Sequence, residues 1–579
     1  MITTSTKVKV TLATLAAFAW MVAWQLTGPS TKVALVLTVV GIAVFTWFYL
    51  TRSGTTVNRW GNRSRRKRGV ASTADIIRFG GRHAMLRKGS VVRPSLAHLS
   101  PASRHLTRVA EVAVLLCRVG PVKLYSSIED VVLVFGGPRT GKSGWLGARI
   151  LDAPGACLVT SSRTDLYNMT HRLRAGRGPV YVFNAVGLGS VPSSITFDPL
   201  TGCGDLAAAG DRAADLIAAG IDGAETGDRA FWSDQARRVL AALMHAAALG
   251  GDLDMRDVLR WVSAPAEGQD EILRLLRRSR DESAVDAAHQ FLTTNPRTQT
   301  SITSTIMPAL GWLASAPACA AATGGRGFDV ADLLRNRATV YLLGAAETHA
   351  APLVTALTGH IAREARRLAA LEPDGRLDPP LTLALDEAAL ISPVPLDSWT
   401  ADMGGRGVTI IAAFQSRAQI LDRWGINGAA VILNNAAAVL MFGGTRDRSD
   451  LEYWSTLAGE RDEDLVTCDF DGKVTSRTVR RVPVLSCAQL ANLPAGKVVV
   501  FRRGMSPAIG VVGMVWNRRD ARRDRKAAGI AESGMIREAE RMTEQAPPVI
   551  RATATRVDDP AGDRVGDMGG RNGRVGDHE

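Results

Sequence analysis

The chain has 579 residues, 46% of them apolar, enough for roughly two or three structural units with sizeable cores; this excludes a protein that is disordered throughout. Its net charge of +14 is almost entirely local: residues 51–110 hold 14 Lys or Arg against the single acid Asp75, so the charge is no argument for nucleic-acid binding by the rest of the chain. Six cysteines (Cys117, Cys157, Cys203, Cys319, Cys468, Cys487) contain no C-x-x-C pair and signal neither zinc nor a disulfide framework.

Near the start, Val10–Leu26 and Val33–Leu50 are apolar runs of 17 and 18 residues separated by Thr-Gly-Pro-Ser-Thr-Lys. Each is close to the minimum for a membrane-spanning helix, no Asp or Glu precedes Asp75, and no small-residue cleavage site lies between them. Two transmembrane helices within residues 1–52 are therefore expected, rather than a signal peptide. Lys7 and Lys9 before the first run, and the basic residues Arg52 to Arg68 after the second, put both ends in the cytosol. The expectation is a multi-pass protein of the bacterial cytoplasmic (inner) membrane with its N-terminus and its body cytosolic. Residues 53–110 form a basic juxtamembrane segment; Arg63 to Arg68 serve this topology and could also touch anionic lipid or DNA phosphate.

Farther on, strand-like Ile128–Phe135 runs into Gly136-Gly137-Pro138-Arg139-Thr140-Gly141-Lys142-Ser143, and Trp145–Leu151 can begin a helix. A loop of the form G-x-x-x-x-G-K-S at a strand-to-helix junction cradles a nucleoside triphosphate. Gly136 and Gly141 let backbone N–H groups face the phosphates, Lys142 reaches the β and γ oxygens, and Ser143 holds Mg²⁺. ATP and Mg²⁺ are the expected cofactors.

Short apolar runs then alternate with helical stretches: Ala156–Thr160, Val180–Phe183, Thr339–Leu343, Leu381–Leu385, Val408–Phe414, Ala438–Phe442 and Lys497–Phe501. That alternation predicts an α/β fold with a mainly parallel sheet covered by helices, over residues 111–205 and 335–516. Residues 206–334 read instead as a mainly helical insertion, with helices expected over Phe231–Ala248, Met255–Val262, Gln269–Arg280 and Ala284–Leu292. Leu381–Leu385 delivers Asp386 at its carboxyl end to hold Mg²⁺ or its water, and Glu387 beside it to polarise an attacking water. Gln415, at the tip of the strand Val408–Phe414, would face the γ-phosphate and sense its loss. Arg406 is a candidate arginine finger toward a neighbouring subunit, with an exposed structural Arg as the competing reading.

In order along the chain, these residues resemble the type IV coupling proteins, the TraG/TraD-like ATPases of bacterial conjugation and type IV secretion. The resemblance rests on the two apolar runs, Gly136 to Ser143, Val159-Thr-Ser-Ser-Arg-Thr-Asp-Leu166, Thr196-Phe-Asp-Pro-Leu200, Ala230-Phe-Trp232, Leu385-Asp-Glu-Ala388, Arg406 to Ser416, Ile432-Leu-Asn-Asn435 and Phe442-Gly-Gly-Thr445, and covers about residues 10–515. It implies a RecA-like nucleotide domain with an inserted all-α domain, and a membrane-anchored homo-hexamer. Such a ring couples ATP hydrolysis to delivery of DNA, relaxase-bound and sequence-tolerant, or of secreted protein into a type IV secretion channel. Three departures stand out. Arg163 replaces a common Lys, Phe183-Asn-Ala lacks an expected Asp-Pro, and Gly404-Gly405 occupy the region where the family's arginine finger usually lies.

From Asn517 to the end the chain is charged, repeats Arg-Val-Gly-Asp at 564–567 and 574–577, and has the composition of a disordered tail. It either recruits a relaxase or other secretion component or is simply solvated. Two rival readings of the whole remain open at this level: a double-stranded DNA pump of the FtsK type, and a non-motor adaptor that binds ATP and recruits cargo.

Overall fold

Six short runs have every residue buried: Val132–Phe135, Cys157–Ser161, Thr339–Leu343, Leu381–Leu385, Val408–Phe414 and Ala438–Phe442. Such runs cannot pack with one face in water; they belong in a parallel sheet covered by helices on both sides. A computed structural model describes residues 68–528 except 222, 224–226, 324–328, 345–348 and 469–473. The two apolar runs near the N-terminus, the basic residues up to Lys67 and the tail after residue 528 lie outside the described residues. Among the described residues no single helix is long and apolar enough to cross a membrane. The chain divides into two compact units, one ending at Arg522 and one beginning at Arg523, whose described residues are helical.

The first unit is built on an eleven-stranded sheet. In chain order the strands are β1 (Ala113–Val119), β2 (Val122–Ser127), β3 (Val132–Phe135), β4 (Cys157–Ser161), β5 (Val180–Asn184), β6 (Thr339–Leu343), β7 (Leu381–Leu385), β8 (Val408–Phe414), β9 (Ala438–Phe442), β10 (Glu460–Cys468), β11 (Val474–Pro483), β12 (Lys497–Arg502) and β13 (Met505–Val511). The spatial order is β2-β1-β13-β12-β9-β3-β8-β7-β4-β6-β5, with β10 and β11 paired separately as an antiparallel ribbon. From β9 to β5 every pairing is parallel; β12, β13, β1 and β2 extend the sheet antiparallel. The strand-like stretch from Ile128 does not all become strand. Asp130 accepts hydrogen bonds from the Ser126 hydroxyl and, at 2.8 Å, from the Ser127 backbone N–H, and this turn delays β3 to Val132.

Between β5 and β6 the chain is helical: Leu206–Gly220, Asp228–Gly250, Met255–Ser263, Pro265–Leu276, Glu282–Thr293 and Pro296–Leu310 are the main segments. Local chemistry sets several starts. Asp205 caps the N–H of Ala207, Asp254 and Asp257 form a reciprocal capping box, and Asn295 caps Thr298 with Pro296 in the first turn. The helices share one continuous hydrophobic core with the sheet, Leu240, Trp261 and Phe291 clustering with Leu133, Phe135 and Phe414. Asp215, almost fully buried, is gripped by two nitrogens of Arg363 on the helix Ala351–Leu371, one of them at 2.7 Å. In the Thr196–Leu200 motif the Phe197 ring lies between the Arg212 guanidinium, 4.7 Å away, and the His360 ring at 5.4 Å.

Arg174, at the end of the helix Asp165–Ala175, holds the lower edge of the sheet together. Fully buried, it donates to the carbonyls of Ala153, Gly155 and Arg337 and, at 2.7 Å, to the Thr339 hydroxyl. These acceptors belong to the segments that enter β4 and β6, and removing the guanidinium would strand them in a dry interior. Arg174→Ala is expected to cost about 3 kcal/mol or more of stability. A Lys there should restore little, because it cannot reproduce the fork of donors. Thermal melts of the purified variants check this; a Lys variant that melts with the wild type would refute it.

Candidate functional site

The parallel register brings three chain segments together at the carboxyl edge of the sheet. Phe135 of β3 pairs with Phe414 of β8, and Leu385 of β7 with Ala412 of the same strand, so the loops that leave all three strands share one cavity of about 530 Å³. Its lining includes Gly137 to Ser143, Asp386, Glu387 and Gln415. All the residues that the sequence singles out are thereby gathered except Gly136 and Arg406. Gly136 sits at the root of the loop, where an added Cβ would lie 2.6 Å from the Cβ of Phe442, so only glycine fits beside β9. Gly141 takes a φ of +103°, a left-handed turn that aims the helix Lys142–Asp152 at the cavity with its N-terminus foremost.

Lys142 is buried, and its ammonium donates to the carbonyls of Gly136 and, at 3.1 Å, Gly137. Burial pushes its pKa down, while the carboxylates of Asp386 and Glu387 hold it up. The Ser143 hydroxyl donates to Asp386 Oδ2 at 3.1 Å. Asp386 is 6% exposed, and burial first, then the neighbouring Glu387 charge, raises its pKa to about 6 against the pull of Ser143 and Lys142. Consecutive residues on a strand face opposite ways, yet both acids line the cavity. The backbone resolves this at Glu387, whose φ of +51° and ψ of +45° form a left-handed kink uncommon for a residue with a side chain. Gln415 Nε2 lies 3.5 Å from Glu387 Oε1, and its backbone N–H donates to Gln419 at 2.8 Å.

Arg406 stands apart. It precedes β8 at the opposite edge of the sheet, its guanidinium 3.5 Å from Asp402 and its side chain 38% exposed. Seven strand residues separate it from the cavity, on the order of 20 Å at the rise of a strand. The structure also brings in residues to which the sequence reading gave no role in the site: Ser161, Ser162 and Arg163 of the Val159–Leu166 motif, together with Asn168 and Trp516, complete the lining. The departure at Phe183-Asn-Ala has a local role: the Asn184 amide donates to the carbonyls of Leu188 and Val191 and closes the loop after β5.

The cavity fits a nucleotide and a hard cation. Its size is that of a small-molecule site, a helix N-terminus and a lysine supply positive potential, and the paired Ser143 hydroxyl and Asp386 carboxylate are the oxygen donors Mg²⁺ prefers. A hydroxyl and one carboxylate suit an ion that retains several waters of its own. In the metal-free protein Asp386 binds its proton more tightly folded than unfolded. Its contribution to stability is therefore present below about pH 4 and lost as pH rises through about 6. Asp386→Asn should raise stability at pH 7.5 by up to about 3 kcal/mol and flatten the dependence of Tm on pH between these values. A melting series without metal or nucleotide reads the effect; a variant that melts lower at pH 7.5 would refute it.

Residues 380–495, which carry Asp386, Glu387 and Gln415, match the family model described as the TraM recognition site of TraD and TraG. No curated protein matches the chain in sequence. Among solved structures, the unbound monoclinic form of the bacterial conjugative coupling protein TrwBdeltaN70 superposes with a TM-score of 0.53 at 18% identity, covering 73% of this chain and 94% of that one. The plasmid coupling protein TrwB in complex with ADP and Mg²⁺ gives 0.52 at 18% identity, over 70% and 92%. Its complex with the GTP analogue GDPNP gives 0.51 at 18%, over 69% and 89%. In one matched segment of sequence and in the α/β fold of its described body, the chain bears out its resemblance to the type IV coupling proteins.

Proposed function

We propose that this chain is a membrane-anchored ATPase that couples hydrolysis to delivery of DNA, protein or both into a type IV secretion channel. The observation that carries the reading is the convergence of Lys142, the Ser143–Asp386 pair, Glu387 and Gln415 on one cavity at the carboxyl edge of β3, β7 and β8. Lys142 binds the β- and γ-phosphates, and the loop's N–H groups orient the chain of phosphates. Mg²⁺, held by Ser143 and Asp386, neutralises charge on the phosphate oxygens when bound. Glu387 orients the attacking water and accepts its proton. Gln415 faces both Glu387 and the γ-phosphate position, and it opens directly onto the helix Arg417–Asn435, so loss of phosphate can move that helix.

Support for the coupling role comes from the match of residues 380–495 to the TraM recognition model and from the fold shared with TrwB, whose structures include complexes with ADP and Mg²⁺ and with ATP and GTP analogues. The membrane anchor rests on the two apolar runs, and a hexameric ring on the family resemblance. Within such a ring Arg406, remote from its own cavity, would serve a neighbour's. DNA would be gripped through phosphates, hence without sequence preference and with strong salt dependence. Lys142→Ala should lower ATPase activity at least about a hundredfold with little change in Tm. Glu387→Gln should keep nucleotide affinity while losing turnover. Single- or double-stranded DNA should stimulate the wild type, less so as salt rises; stimulation by neither would replace the DNA motor with a protein-only transporter or a non-motor adaptor.

A further inference from the structure

The helix that begins the nucleotide site carries glycine at every third position: Gly141, Gly144 and Gly147. This spacing puts them along one side, and a strap from the end of the fold lies in the resulting furrow. A Cβ on Gly141 would collide with the Met514 methyl, one on Gly144 with the benzene edge of the Trp516 indole, and one on Gly147 would come within 3.3 Å of Val515. Arg518 locks the strap in place, donating to Asp152 at 2.6 Å and to the Ala148 carbonyl at 3.3 Å at the far end of the same helix. Trp516 is thus held against the first turn of the helix, yet 39% exposed and part of the cavity wall. Lys142, Asp386 and Glu387 mark the γ-phosphate end of the cavity. A nucleoside must emerge from the phosphate loop away from these acids, and Gly144, Asn168, Met169 and Trp516 belong to the same lining.

We infer that Trp516 is the base platform of this site, stacking on the purine of the bound nucleoside triphosphate. The inference rests on the nucleotide-binding reading above and extends it to the base. A π-face accepts any base, and the exposed Asn168 amide can turn to offer either donor or acceptor, so the site does not distinguish ATP from GTP. The test is calorimetric titration of the full-length, detergent-purified protein with Mg²⁺ and ATP, GTP or inorganic tripolyphosphate. Trp516→Ala should weaken ATP and GTP alike by about tenfold or more while leaving tripolyphosphate unchanged, and Trp516→Phe should stay near the wild type. Trp516→Met keeps apolar bulk against Gly144 without an aromatic face; it should repeat the alanine result and serves if the smaller variant fails to fold. Undiminished ATP affinity in the alanine or methionine variant, or tripolyphosphate binding lost in equal measure, would overturn the base platform. A wild type that binds none of the three would overturn the nucleotide reading beneath it.

Discussion

The hydrogen-bonded register between β3, β8 and β7 is the constraint on which the site depends. Each strand contributes little chemistry itself; each ends at the same height and hands its next residues to a common cavity. A slip of one residue in β8 would turn its buried side chains over and carry Gln415 away from Glu387. The register is protected by burial: β3, β7 and β8 have no exposed position, so any displaced pairing must bring a polar residue inside or an apolar one out. Precision at the site is in this sense a by-product of the sheet's core.

That dependence explains what could be read in the sequence. Strands buried on both faces announce themselves as unbroken apolar runs, and Thr339–Leu343, Leu381–Leu385, Val408–Phe414 and Ala438–Phe442 occupy the expected residues. Of the antiparallel extension only β12 stood out, expected over Lys497–Phe501 and found over Lys497–Arg502. β2 starts half-exposed, β13 has an exposed Ser506 near its start and an exposed Val511 at its end, and the β10–β11 ribbon opens on five charged residues in a row, Glu460 to Asp464, and carries Arg477, Arg480 and Arg481 on its second strand, so none presents a continuous apolar signal. Asp386, Glu387 and Gln415 were legible because they directly follow a strand, and Lys142 and Ser143 because they close the glycine-rich loop that does. Trp516 was not, standing 372 residues after Gly144, which it touches; the Gly141, Gly144, Gly147 repeat was the available clue, since three glycines on one side of a helix announce a close neighbour.

The helical segment between β5 and β6 is less separate than its composition suggests. Its residues share the sheet's core, and Asp215 is anchored by an arginine of a helix that covers the sheet. Arg423, on the helix that follows Gln415, donates to the carbonyls of Ala218 and Ile221 at the end of Leu206–Gly220. The connection from the tip of β8 to the helical segment therefore consists of the short helical stretch 417–424, which ends at a break at Gly425, where φ is +68°. Displacement of Gln415 has a short mechanical route to the surface that the helical segment presents.

The furrow on the helix Lys142–Asp152 also bears on how this sequence can change. Position 144 has no room for a side chain while an indole occupies position 516, and an indole at 516 has nowhere to lie if 144 grows. Neither residue can drift alone, although they are far apart in the chain. A lineage that places alanine or serine at 144 must first shrink or withdraw residue 516. The two positions should accordingly be inherited as a pair, and exchange of the segment after β13 between distant relatives should fail unless the loop helix travels with it.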